Sequence, residues 1–188
     1  MFNWYNSIGL IGLVSWLLFS NAATLATSLE KEGKADISPI AKTSLANLPD
    51  GAYQLCTEPL PQDWRDGASV CLNYVKKGTT IDGYYGYPHS GDFVCLRGKV
   101  SKDWLYGEGM LISWGESTRL EIPQKEFTWD KEGRLSLSQG DLAHSDGIGE
   151  DRVDWIIFKQ ASLNAQGLYL YPNPRMKSPT QLCDWSFN

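Results

Sequence analysis

From Asp50 onward apolar and polar positions alternate with a period of two. Tyr53 and Leu55 alternate with Gln54 and Cys56, and Val70, Leu72 and Tyr74 alternate with Cys71 and Asn73. Successive side chains of a strand point to opposite faces, so this rhythm predicts β-strands rather than helices. The turn KKGTT leads into IDGYYGYP, His89-Ser90-Gly91-Asp92 precedes FVCLRGKV, and Ser101-Lys102-Asp103 precedes WLYGEGMLISWG. Consecutive runs joined by such short turns predict an antiparallel meander. Further on, STRLEIP, EFTWD, RLSLSQ, RVDWIIFK and GLYLYP keep the rhythm, with DKEG as the clearest hairpin turn. Only QASLNAQ reads as a helical turn or two.

The class is therefore all-β, with about eight to ten short antiparallel strands between residues 50 and 188. A sheet of that size must protect its edges, either by closing into a small up-and-down β-barrel or by forming a two-sheet β-sandwich. The barrel is the expectation, with the sandwich as its alternative. Glycines within the runs, at Gly83, Gly86, Gly98, Gly107 and Gly109, suit the close backbone approaches of a tightly bent sheet. Hairpin-length turns leave no room in the first half for long crossovers.

The runs YQLC, CLNYVKKG, IDGYYGYP, CLRGKV and YGEG, with WIIFKQASLNAQGLYLY near the end, resemble a family of secreted cyanobacterial proteins of unassigned function. The likeness spans most of residues 50 to 171. It implies an exported, β-rich domain and carries over no activity, ligand or catalytic residue.

Ahead of this domain, Met1 to Leu29 contains no Asp, Glu, Lys or Arg, and Ile8 to Phe19 forms a short apolar centre followed by Ser20-Asn21-Ala22. This pattern predicts a signal peptide over residues 1–22, with Ala26 as a second cleavage position. The leader lacks a basic residue before its apolar centre, and Ile8 to Leu29 is also long enough to serve as an uncleaved anchor. No cysteine precedes Cys56, so an acylated lipoprotein terminus is excluded. Residues 23–49 are mixed in charge and free of aromatics, which reads as a flexible lead-in to a single domain over residues 50–188. Cleavage places this domain in the periplasm or outside the cell, with no membrane span.

The formal net charge is −5. Binding to phosphate backbones needs a basic footprint, so nucleic acid is not an expected partner, nor is an anionic membrane surface. The cysteines, Cys56, Cys71, Cys95 and Cys183, follow an export signal and read as a disulfide framework. Cys56 and Cys71 fall at the mouth of one hairpin, which leaves Cys95 for Cys183. If Tyr53, Leu55, Leu72, Tyr74, Val94 and Leu96 face inward, then Cys56, Cys71 and Cys95 staple the outer face. No CxxC or CxH spacing points to zinc, and no metal or cofactor is expected.

Candidate chemistry is sparse. His89 and His144 each sit beside a Ser and an Asp, but neighbours in an extended segment point apart and cannot form a hydrogen-bonded relay. Both read as exposed turn residues. The segment DLAHSDGIGEDRVD gathers carboxylates without the spacing of a calcium loop, and reads as a solvated acidic loop. Glu58, Asp63 and Asp66 on a Pro-rich loop read as surface acids rather than a glycosidase pair. Aromatics are the stronger hint. Tyr84 and Tyr85 point to opposite faces, so at least one is expected on display, and Tyr85, Tyr87, Trp64 and His89 form the candidate ligand-binding set. The functional expectation is a binding module for a small molecule or carbohydrate rather than an enzyme. A protein-interaction module of the cell envelope and a hydrolase with unrecognised catalytic residues are the alternatives.

Overall fold

The computed structural model of the protein describes residues 44–61, 69–114, 121–175 and 177–187. The first five strands are β1 (Gly51–Cys56), β2 (Cys71–Lys77), β3 (Thr80–Gly86), β4 (Phe93–Ser101) and β5 (Trp104–Trp114). They pair in sequence order, all antiparallel, as the expected meander. After them come β6 (Phe127–Thr128), β7 (Leu135–Asp146), β8 (Val153–Asn164) and β9 (Tyr169–Tyr171). Together the described strands make one sheet in the order β6-β7-β8-β5-β4-β3-β2-β1-β9.

That sheet does not close into the expected barrel. Its outermost strands, β6 and β9, contribute two and three residues. QASLNAQ is not helical either, because residues 160–164 complete β8 between β5 and β7. Ala161 and Leu163 are buried there, and pairing on both sides overrides the local helical preference. The only α-helix among the described residues is the short α1 (Pro179–Leu182), opened by a Ser178 capping box.

Alternation works as the sequence implies on the inner face. Leu55, Leu72, Tyr85, Val94, Leu96, Leu105, Leu137, Phe158 and Leu163 form one core cluster. Residues 44–48, part of the stretch read as lead-in, also belong to the packed body. Leu45 is fully buried in the core, its amide donates to Asp103 Oδ1 at 2.9 Å, and Ala46 N donates to the Lys102 carbonyl. The chain thus packs against the β4–β5 turn, where Lys102 takes a left-handed φ of 55°.

The sheet curls far enough for β3 to touch the β6–β7 turn across the core. Tyr85 Oη donates to Asp130 Oδ2 at 3.1 Å, and the Tyr85 ring meets Trp129 edge-on with centroids 6.1 Å apart. Curling this tight needs close strand approach. Gly98 and Gly107 lie directly opposite one another in the β4–β5 ladder, and a Cβ on Gly107 would come within 2.1 Å of the Arg97 carbonyl oxygen. Since backbone cannot yield as a side-chain tip does, Gly107→Ala is expected to lower the melting temperature by several degrees. An unchanged melting curve would show that the ladder relaxes there at no cost.

Part of the outer face is covered as well, which corrects the expectation that Tyr84 or Tyr85 is displayed. Tyr84 is 2% exposed and Tyr85 is fully buried. Cross-strand register places Gln54, Asn73, Tyr84, Cys95, Met110 and Ile157 in one continuous row on this outer face. The C-terminal segment crosses that row. Cys183 bonds to Cys95, and Leu182, Trp185 and Phe187 pack with Tyr84 and Met110. The second disulfide joins Cys56 to Cys71, a directly opposed pair in the β1–β2 ladder. Both pairings are those expected from the hairpin geometry.

Tyr85 is therefore a core residue, and Tyr85→Ala should cost about 3–5 kcal/mol, the usual penalty for emptying a buried aromatic site. Equilibrium denaturation checks this. A loss within the range of ordinary surface substitutions would return the ring to the surface.

Candidate functional site

Two segments rise over the outer row and leave a cavity of about 360 Å³ between them. The first is formed by the described ends of the β1–β2 connection, residues 57–61 and 69–70, tied at their base by Cys56–Cys71, which supply Leu60, Pro61 and Ser69. The second is the C-terminal segment, tied by Cys95–Cys183, which supplies Arg175, Lys177 and Leu182. The β3–β4 hairpin closes the remaining side with Tyr87, Pro88, His89 and Phe93.

Buried polar groups position these walls. Gln54 and Asn73 are opposed in register, only 4% and 3% exposed, and so must find partners. Gln54 Oε1 accepts the Arg175 amide at 2.7 Å. Asn73 Nδ2 donates both to the Lys177 carbonyl and to Tyr84 Oη. Tyr84 Oη in turn donates to the same carbonyl at 2.6 Å. Burial pushes the Tyr84 phenol up to about 12, against the opposing Asn73 hydrogen bond, so it stays a donor across the physiological range. Main-chain anchors therefore fix residues 175 and 177 at the wall of the cavity.

Of the candidate ligand-binding residues, Tyr87 and His89 are brought together on this cavity. His89 sits exposed at the hairpin tip with a left-handed φ of 62°. Tyr87 has a second attachment: its ring lies 5.9 Å from Trp129 and its hydroxyl donates to Glu132 Oε2 at 3.2 Å. Tyr85 lies on the opposite, inner face. Trp64, Asp63 and Asp66 lie outside the described residues. Gln54, Asn73, Arg175 and Lys177 went unnoticed in the sequence. Their only signal there is a pair of amides at outward positions of adjacent strands, ordinary on an open sheet and informative only once that face is covered.

His144 is a strand residue rather than a turn residue. It lies in β7, half-buried between Trp155 and Phe187, with ring centroids 5.1 and 6.2 Å away. The acidic stretch is a strand pair more than a loop. Asp141 lies in β7 and pairs with Lys159 at 2.5 Å, whereas Asp154, in β8, is buried. Among the described residues no group of three or more His, Cys, Asp or Glu side chains could hold a metal ion. No helix among them is long and apolar enough to cross a membrane. Two disulfides point to an oxidising compartment.

The Asp154 carboxyl is held below its ordinary range, first by the Ser145 hydroxyl and then by the Arg152 guanidinium at 2.9 Å, which together outweigh its burial. A carboxyl that binds its proton less readily when folded contributes stability above its unfolded pKa, about 4, and loses it as pH falls through the lower folded value. Acid unfolding below about pH 4 should therefore be less steep in Asp154→Asn than in the wild type. Parallel profiles would exclude this site as a source of acid sensitivity.

Chain-entropy reasoning assigns about 4.5 kcal/mol to the Cys95–Cys183 loop of 88 residues, against about 3 kcal/mol for the 15-residue loop. Comparisons with known proteins add no neighbour to this picture: no family model, curated protein or solved structure matches the chain.

Proposed function

We propose that this chain is an exported, disulfide-stapled module that binds a small ligand in the cavity between its β1–β2 connection and its C-terminal segment. The observation that carries the reading is convergence at one place. Both stapled segments and the β3–β4 hairpin meet around a pocket whose volume and largely apolar lining suit a ligand site. A site built for binding also needs walls that hold their shape before the ligand arrives. Gln54, Asn73 and Tyr84 supply that stiffness by fixing the backbone of residues 175 and 177.

Export is supported by the charge-free apolar leader and by the oxidised cysteines. The likeness of the short runs to secreted cyanobacterial proteins agrees with it. We read the curled sheet as an unclosed barrel rather than a sandwich, because one continuous ladder surrounds one inner core. A protein-interaction module is the second reading. Trp104 and Tyr106 favour it, as exposed neighbours on β5 whose rings lie nearly parallel with centroids 5.8 Å apart.

A thermal-shift screen of sugars, lipids and small aromatic compounds separates these readings. A ligand at about a hundred times its dissociation constant stabilises by about 2.7 kcal/mol, or a rise of roughly 5–10 °C in a domain of this size. The shift should disappear in Leu60→Trp, which enlarges one wall into the cavity. If no compound raises the wild-type melting temperature, or if the shift persists in Leu60→Trp, the cavity is not the site.

A further inference from the structure

Beyond the part of the outer face that the C-terminal segment covers, Trp104 and Tyr106 stand 38% and 51% exposed. Two residues apart in β5, they share its outer face, and their rings lie only 11° from parallel with centroids 5.8 Å apart. Burying such rings would be favourable, so a pair kept in water marks a surface that something else covers. Polar groups continue the face from Tyr106. Directly opposed residues of neighbouring strands share a face, and register sets Tyr106 opposite Ser162, Ser162 opposite Ser136, Trp104 opposite Asn164 and Gln160 opposite Ser138. Tyr106, Glu126, Ser136, Ser138, Gln160 and Ser162 line a groove of about 290 Å³. Within it Ser138 Oγ donates to Gln160 Oε1 at 3.1 Å, a bond that holds the amide on this face and does not use its NH2 group.

We propose that this face is a second binding site, sharing no lining residue with the cavity, and that its ligand is a neutral oligosaccharide. A pyranose has two chemically distinct parts, a flat C–H face and a rim of hydroxyls. The C–H face lies against the Trp104–Tyr106 pair and gains by leaving water. The rim hydroxyls, each a donor and an acceptor, meet the Ser136 and Ser162 hydroxyls, the Gln160 amide and the Glu126 carboxylate. Hydroxyl and amide groups predominate among these partners, which suits an uncharged, hydroxyl-rich ligand. A protein surface is the other occupant that an exposed aromatic pair could take. Serine, however, is depleted in the cores of protein interfaces, and three serines line the groove beside this pair.

Titration calorimetry on the oxidised protein with cellohexaose, maltohexaose and N-acetylchitohexaose tests this. At least one of the three should bind saturably, and Trp104→Ala and Tyr106→Ala should each weaken it about tenfold or more, as loss of an anchoring ring does. Both rings are already partly in water, so the variants keep the fold, and their melting curves verify this. Gln160→Leu, close in size but without the hydrogen bonds, should weaken binding several-fold. Leu60→Trp, which alters the cavity, should leave the affinity unchanged. If none of the three sugars binds saturably, the sugar assignment is wrong and the aromatic pair is left to a protein partner, while the cavity reading stands or falls by its own screen. If folded Trp104→Ala and Tyr106→Ala bind as tightly as the wild type, or if Leu60→Trp removes binding that they retain, the sugar sits elsewhere and this site is overturned.

Discussion

The Asp130 carboxylate is the constraint on which the arrangement of the inner face depends. Only 5% exposed, it accepts the Leu135 amide at 2.7 Å, the Arg134 amide at 3.0 Å and the Tyr85 hydroxyl at 3.1 Å. A buried carboxylate is costly unless such donors surround it. The two amides belong to its own turn, and the hydroxyl comes from β3, on the far side of β4, β5, β8 and β7 in the sheet order. One side chain therefore shapes a local turn and ties two distant parts of the sheet together. With the Tyr85–Trp129 and Tyr87–Trp129 ring contacts beside it, this bond fixes the curl that encloses the core.

The outer face follows a different logic. An antiparallel sheet can leave one face to water, with polar residues at every second position. Here the outward row contains Tyr84, Cys95 and Met110, and the C-terminal segment buries it. Covering the row strands the amides of Gln54 and Asn73 away from solvent, where each must be satisfied. The crossing chain supplies their partners, so the same bonds that compensate for burial also hold one wall of the cavity. The Arg97 guanidinium, 4.2 Å from the Trp185 ring centroid and paired with Glu108, extends this cover toward β5.

Tyr87 connects the two systems. Its hydroxyl and ring engage the β6–β7 turn, and it also lines the cavity next to His89. Core curvature and cavity shape are thereby coupled through a single half-exposed residue at the end of β3.

Period-two alternation by itself determined most of the strands, because it reports directly which side chains share a face, but residues 121–123 of STRLEIP form no strand and β7 runs on through the acidic stretch from Asp141 to Asp146. It also fixed the facing of Cys56, Cys71 and Cys95, and the opposition of Cys56 and Cys71 across a hairpin followed from that register. The left-handed turn at Lys102 and the β6–β7 turn at Asp130 were legible from turn chemistry, which acts over a few residues. Half of the candidate site was legible for the same reason: Tyr87 and His89 lie together at one hairpin. Local pattern could not decide how far the sheet curls, since Tyr85 and Asp130 are 45 residues apart. Nor could it decide that the C-terminal segment crosses the outer face, where it turns Tyr84 from a surface ring into a buried one. The roles of Gln54, Asn73, Arg175 and Lys177 depend on that crossing. Alternation assigns a residue to a face, but only the tertiary structure decides whether that face meets water or the rest of the chain.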